Sequence, residues 1–292
     1  VALVSNTTGT NNVAIGYAAG QSVTTGVQNT LIGGLAGDAL TTGNYNVALG
    51  YAALGAEDTR GRATAIGYAA LQSQNADADS YNVAVGFEAG GAVTTGTENT
   101  LIGGLAGDAT TTGNVNTAIG HGSLGANTTG VANTALGRQA LKGNTTANFN
   151  VAVGAESMTS NTTGANNVAI GYEAGYSNTD QGSNVYIGYQ AGYTNNEDSN
   201  VAVGSKAMYS GTTANSNVAV GRDSLQSITT GSTNVAVGRN TLLTDTQGSR
   251  SVALGYQALK TQNFTSATDA YNVAVGFNSG LSLTTGIANT YI

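Results

Sequence analysis

The chain has 292 residues and a formal net charge of −7; 9% of its residues are charged and 6% aromatic, 43 are Gly, and Pro, Cys and Trp are absent. With no thiol and a single histidine, His121, the chain lacks the parts for disulfide frameworks, His-based triads and His/Cys metal sites. It has no basic cluster to concentrate charge on phosphates, which argues against nucleic acid as a partner, and no stretch apolar enough to insert a helix into a membrane.

The first element is "NNVAIGYAAG" at 11–20, which returns as "YNVALGYAAL" at 45–54, "NNVAIGYEAG" at 166–175 and "YNVAVGFNSG" at 271–280. The glycine that closes the phrase recurs sixteen times from Gly16 to Gly276, and twelve of the fifteen steps are 17 residues, the others 16, 19 and 21. Self-similarity of this kind is the signature of a repeat architecture. Four residues before the glycine stands Asn in fourteen copies, the exceptions being Ala63 and Ser251. Three before it is Val or Thr, one before it Ile, Leu or Val, and the position between is Ala in thirteen copies. Three after it is a small residue, and the next is always Gly, Leu or Met.

Within each copy the apolar positions alternate, which predicts a short strand. Val13 and Ile15 fall on one side and Ala14 on the other. The expectation is that Val and Ile fill an interior column as coils stack, while the Ala row allows close approach of another chain or layer. Asn before the strand and Gly after it are read as turn residues able to adopt the left-handed backbone. A second short strand is expected over about 19–25, ahead of the Thr-Thr-Gly turn at 24–26. The fold class is therefore all-β, a parallel β-solenoid of about 17 coils, with 1–292 as a single repeat domain. Val1 and the closing "NTYI" suggest a fragment of a longer fibre.

Further along, "GGLAGD" at 33–38 and 103–108 lacks the Lys-Ser/Thr of a phosphate loop. The acids in Glu57–Asp58 and Glu197–Asp198 are consecutive and point apart if extended, which suits no two-carboxylate groove. The chain is not expected to be an enzyme or to need a cofactor. Two coils are enlarged, "QNADADSY" at 74–81 and "TQNFTSATDAY" at 261–271. Loops on a rigid scaffold are where receptor contact concentrates, so Asp77, Asp79, Phe264 and Asp269 are the candidate receptor-binding residues. Asp77 and Asp79 are also weighed as a Ca²⁺ or acid pair, a solvated loop being the simpler reading.

Three rows run along the repeat. The Asn row comprises Asn12, Asn29, Asn46, Asn82, Asn99, Asn116, Asn133, Asn150, Asn167, Asn184, Asn200, Asn217, Asn234 and Asn272; it reads as a structural ladder whose amides satisfy turn backbone and bond along the stack. An aromatic follows the motif glycine in eight copies, Tyr17, Tyr51, Tyr68, Phe87, Tyr172, Tyr189, Tyr256 and Phe277. It covers either the roll or a seam between chains, with sugar stacking as the alternative. The threonines of the Thr-Thr-Gly turns raise an ice-binding reading, in which one Thr per coil joins an array.

The "N-[VT]-A-[IVL]-G" phrase resembles the head repeats of YadA-like trimeric autotransporter adhesins. "NTAIGHGSLGANTTG" (116–130) and "NTALGRQALKGNTTA" (133–147) are similar to phage tail-fibre repeats of the form N-T-A-x-G-x-x-A-L-x-x-N-T-T-G. The resemblance spans essentially the whole chain. It implies a left-handed parallel β-roll, a side-by-side homotrimer and an extracellular location on a virion tail fibre or bacterial cell surface. It also implies a structural and adhesive role in host or cell attachment through a cell-surface glycan or protein receptor. An ice-binding β-solenoid is the alternative.

Overall fold

A computed structural model describes all 292 residues, Val1–Ile292. They form two compact units, Val1–Phe149 and Asn150–Ile292, and neither contains a helix. In the first unit β1 (Val13–Ile15), β2 (Thr30–Ile32), β3 (Val47–Leu49), β4 (Thr64–Ile66), β5 (Val83–Val85), β6 (Thr100–Ile102), β7 (Thr117–Ile119) and β8 (Thr134–Leu136) each pair in parallel with the next. The second unit repeats the construction with β9 (Val151–Val153), β10 (Val168–Ile170), β11 (Val185–Ile187), β12 (Val201–Val203), β13 (Val218–Val220) and β14 (Val235–Val237). It ends with β15 (Gly248–Ser249), β16 (Val252–Leu254), β17 (Thr268–Asp269), β18 (Val273–Val275) and β19 (Thr290–Tyr291). There β14, β16, β18 and β19 continue the ladder, and β15 pairs with β17 beside it.

Each unit is thus a parallel β-solenoid, and the 17-residue period is its register. Val13 opposes Thr30 and Ala14 opposes Leu31. Longer steps leave this register intact, since Thr64 still opposes Val83 and Val252 opposes Val273. The extra residues lie outside the strand.

The interior is the reverse of the one expected. Ala48, Ala65, Ala84, Ala118 and their equivalents at the strand centre are fully buried, apart from the half-buried Ala14 of the first coil, whereas the flanking Val, Thr, Ile and Leu are half-buried or exposed. The cause is the narrowness of the coil, because the turn after the strand folds back directly over the strand centre. Only a methyl group fits there unless the facing residue gives way. Where the strand centre is large, it does. Leu31 projects between Gly20 and Gly37, and a Cβ on either glycine would sit 2.7 or 2.8 Å from a Leu31 methyl. Leu101 lies in the same way between Gly90 and Gly107, and Tyr186 between Gly175 and Gly192. Coils with Ala at the centre of the strand, such as those of Ala65, Ala118 and Ala152, fill the space from the other side with buried Leu71, Leu124 and Met158. This reciprocity accounts for the restriction of that turn position to Gly, Leu or Met.

The second expected strand is absent. Residues 17–22 form turns, with left-handed backbone at Ala18 and Gly20. Another left-handed residue precedes the ladder Asn rather than being it: Gln28, Tyr45, Glu98 and even β-branched Val115 have φ between 58° and 62°. Such conformations cost roughly 1 kcal/mol each in isolation. Here they aim the N–H at the preceding coil, as in Tyr45 N–H to Val27 O and Leu35 N–H to Tyr17 O, at 3.1 and 2.9 Å. A parallel strand could not turn the chain so sharply. The glycine that ends each strand has a stricter requirement. At Gly16, φ is 132° and a Cβ would lie 2.5 Å from the carbonyl oxygen of Gly33 in the next coil.

Candidate functional site

The expected Asn ladder lies inside the coil at the entrance to the strand. Its members from Asn29 to Asn272 are buried, and Asn12 in the first coil is partly covered. Asn12 Oδ1 accepts the backbone N–H of Asn29 at 2.9 Å and its side-chain N–H at 3.1 Å, while Asn29 Nδ2 donates to Gly43 O at 2.9 Å. The pattern repeats at Asn46, Asn99, Asn116 and Asn133. In the second unit it runs through Asn150, Asn167, Asn184, Asn200, Asn217 and Asn234. Apart from Asn184 Nδ2, which is buried without a hydrogen-bond partner, these amides bond to backbone and to one another, and all but Asn12 are buried, so the ladder presents nothing to a sugar.

Where the ladder lacks an Asn, at Ala63 and Ser251, the next coil is an enlarged one, and a buried network fills the break. Gln74 accepts from Asn82 Nδ2 at 2.8 Å and donates to Glu57 at 3.0 Å. In the second unit Gln262 accepts from Asn272 at 2.9 Å and donates to Asp245 at 2.6 Å. Glu57 also receives Arg60 N–H, and Asp245 receives the N–H groups of Gly248 and Phe264. Both carboxylates are wholly buried. Burial raises the pKa of Glu57 above its ordinary value of 4.5, opposed by the hydrogen bonds from Gln74, Arg60 and Ala76.

The candidate receptor-binding residues of the enlarged coils belong to different units, Asp77 and Asp79 to the first and Phe264 and Asp269 to the second. Phe264 is 5% exposed and packs against Gly248, where a Cβ would lie 2.8 Å from the ring; its place as a contact residue is corrected by this burial. Asp79 is exposed but held by Arg62 at 2.7 Å, and Arg62 in turn lies over the rings of Tyr45 and Tyr81. Asp269 is held by Arg250 at 2.8 Å, and Arg250 also bonds the Tyr271 hydroxyl. Asp77 is exposed. Asp77 and Asp79 belong to no cluster of three or more metal-ligating side chains.

The aromatic row is outward but stacked on itself. Tyr51, Tyr68 and Phe87 lie ring over ring at 5.8 and 5.2 Å, and Tyr172 with Tyr189 and Tyr256 with Phe277 do the same at 5.8 and 5.1 Å. A ring inside such a stack offers its edge and hydroxyl, because its faces are covered. A second stack, Tyr176, Tyr193 and Tyr209 at 5.2 and 5.1 Å, was not foreseen; its signal was a Tyr five residues after the motif glycine in three consecutive copies, Gly171, Gly188 and Gly204. Another unforeseen row is the buried set Asn127, Asn144, Asn161, Asn178 and Asn195. The signal for it was the Asn that precedes several Thr-Thr turns.

Beside the aromatic row lies the uncovered strand face. Leu49 is 43% exposed, Ile102 36% and Val237 38%, and the Val or Thr two residues earlier is half-buried in the strands from Thr30 to Val273 and exposed at Val13. The first threonine of each turn is occupied: Thr94, Thr111, Thr128 and Thr229 donate their hydroxyls to carbonyls of the next coil at 2.9–3.1 Å. The second, as at Thr95, Thr112 and Thr129, is exposed. Against known proteins, no protein-family model matches the chain and no curated protein sequence matches it significantly.

Proposed function

We propose that this chain is a structural and adhesive segment of an extracellular fibre, a tail-fibre shaft or adhesin head that mediates attachment to a host or cell surface. One observation carries the reading: in both units the outward strand face is a row of Val, Ile and Leu beside stacked aromatics. Soluble monomers rarely leave so continuous an apolar patch uncovered, and such patches mark protein contacts. Repetition of the face in coil after coil suits copies of the same chain in the same register. The resemblance to trimeric β-roll fibres adds the number three and the left-handed roll. In this reading the Ala-lined interior gives stiffness, the apolar face joins three chains, and the remaining surface makes weak repeated contacts with a glycan or protein receptor. Multiplicity supplies avidity. Neither catalysis nor a cofactor has a part in it.

The test is molar mass in solution by light scattering after size exclusion, followed by binding to whole cells. A mass near three chains with cell binding is expected, and a clean monomer would sink the trimeric fibre. The second reading, an ice-binding solenoid, is favoured by the exposed outer threonines at Thr95, Thr112 and Thr129. It is weakened by the loss of the first threonine row to backbone hydrogen bonds. Thermal hysteresis in the presence of ice would support it.

A further inference from the structure

The row that carries Leu105 and Gln139 has glycine between them at Gly122, and the row that carries Asp108 and Lys142 has glycine between them at Gly125. Two missing side chains in one coil open a recess of about 270 Å³, lined by Leu105, Asp108, His121, Gln139 and Lys142 over Gly122 and Gly125. Its floor is open: a Cβ at Gly122 would meet nothing nearer than Gln139 Cγ at 3.9 Å. Asp108 leans in from one wall, its Oδ1 3.3 Å from where a Gly125 Cβ would stand, and its carboxylate is steadied by the N–H groups of Asp108 and Ala109. Lys142 stands on the opposite wall two coils away, about 10 Å in strand spacing. Opposite charges therefore face one recess without meeting.

We propose that this recess is a binding subsite for one pyranose ring that carries a carboxylate. Lys142 takes the carboxylate, because an ammonium on a long stem suits a single anionic group. Asp108, an acceptor when ionised, takes ring hydroxyls, and Leu105 covers the C–H face of the ring. The size suits a single ring, since pockets for larger ligands begin at about 300 Å³. A neighbouring recess over Gly91, lined by Gln72, Ser73, Glu88 and Asp108, has no cation and so lacks the anion's partner. The inference deepens the attachment reading by naming a receptor class, yet it stands on the recess alone.

The experiment is ligand-observed saturation-transfer NMR on the whole chain with glucuronic acid, alongside glucose and glutamate as probes. Binding with Kd of about 1–10 mM is expected, at least about tenfold weaker for glucose and for glutamate, and weakened about tenfold by Lys142→Gln. Gly122→Leu restores the side chain this row carries elsewhere: Leu105 holds φ 57° and Gly122 φ 62°. That variant keeps the thermal unfolding midpoint and loses binding. No saturation transfer from glucuronic acid, equal transfer from glucose or glutamate, or binding undiminished by either substitution overturns the subsite. None of these results bears on the molar mass, so the fibre reading fails or stands separately.

Discussion

Residue 57 illustrates how one side chain ties charge to stability. Glu57 is buried among donors, and burial lifts its pKa above 4.5. With the folded value raised, its contribution to stability is fully present below the unfolded pKa and is lost as pH rises through the folded one. Urea unfolding at a series of pH values from about 4.5 upward should therefore show the parent losing stability relative to Glu57→Gln; a pH-independent difference contradicts the assignment. Tyr186 provides a simpler case. It is wholly buried and its hydroxyl has no hydrogen-bond partner, so Tyr186→Phe should stabilise the chain by about 1 kcal/mol in the same assay. The pairing of Leu31 with Gly37 is testable as a cycle. Leu31→Ala alone should cost about 2–5 kcal/mol for its cavity, and Gly37→Leu alone should cost about 1–3 kcal/mol for overpacking. Together they rebuild the arrangement of Ala48 with Leu54, and the costs should be strongly non-additive.

At the scale of an element, the enlarged coils are the informative case. Their extra residues leave the strand register undisturbed, because a buried carboxylate and a Gln replace the contacts that the insertion displaces. In the second unit Asp245 holds Gln262, Gly248 N–H and Phe264 N–H together. Asp245→Ala leaves those donors buried without partners, at about 1–3 kcal/mol each. Amide hydrogen exchange should rise at Gly248 and Phe264 while Ala169 and Ala202, several coils away, keep their protection, since coils contact only their neighbours. Uniform loss of protection would mean the network acts on more than its own coil.

For the molecule as a whole, the proposed association of chains would use the strand face. Leu49 and Ile66 point away from the Ala-lined interior. Leu49→Asp with Ile66→Asp should therefore lower the molar mass from about three chains to one, with little change in the β-type circular dichroism. A mass unchanged by the charges would place the contact elsewhere. In the proposed trimer charge would have little part, given 9% charged residues, so a mass near three chains should also persist at high salt.

Much of the fold was legible from residues alone. The recurrence of Asn, Val, Ala and Gly at one spacing determined the strands, the parallel register and the positions of the two enlarged coils, because every coil of a stacked array must repeat the hydrogen bonds of its neighbours. The Asn row could be identified with its role, since an amide that recurs at each step can bond both backbone and its own kind. Which side of the strand faces inward was not legible. Alternation marks two faces equally, and the choice fell to the width of the coil, which admits Ala48 but admits Leu31 only between two glycines. Likewise the burial of Phe264, the stacking that hides the faces of Tyr68, and the recess between Leu105 and Lys142 depend on residues 17 or more positions apart becoming neighbours. Only the folded chain decides these, because they are set by the space between coils rather than by the order of residues within one.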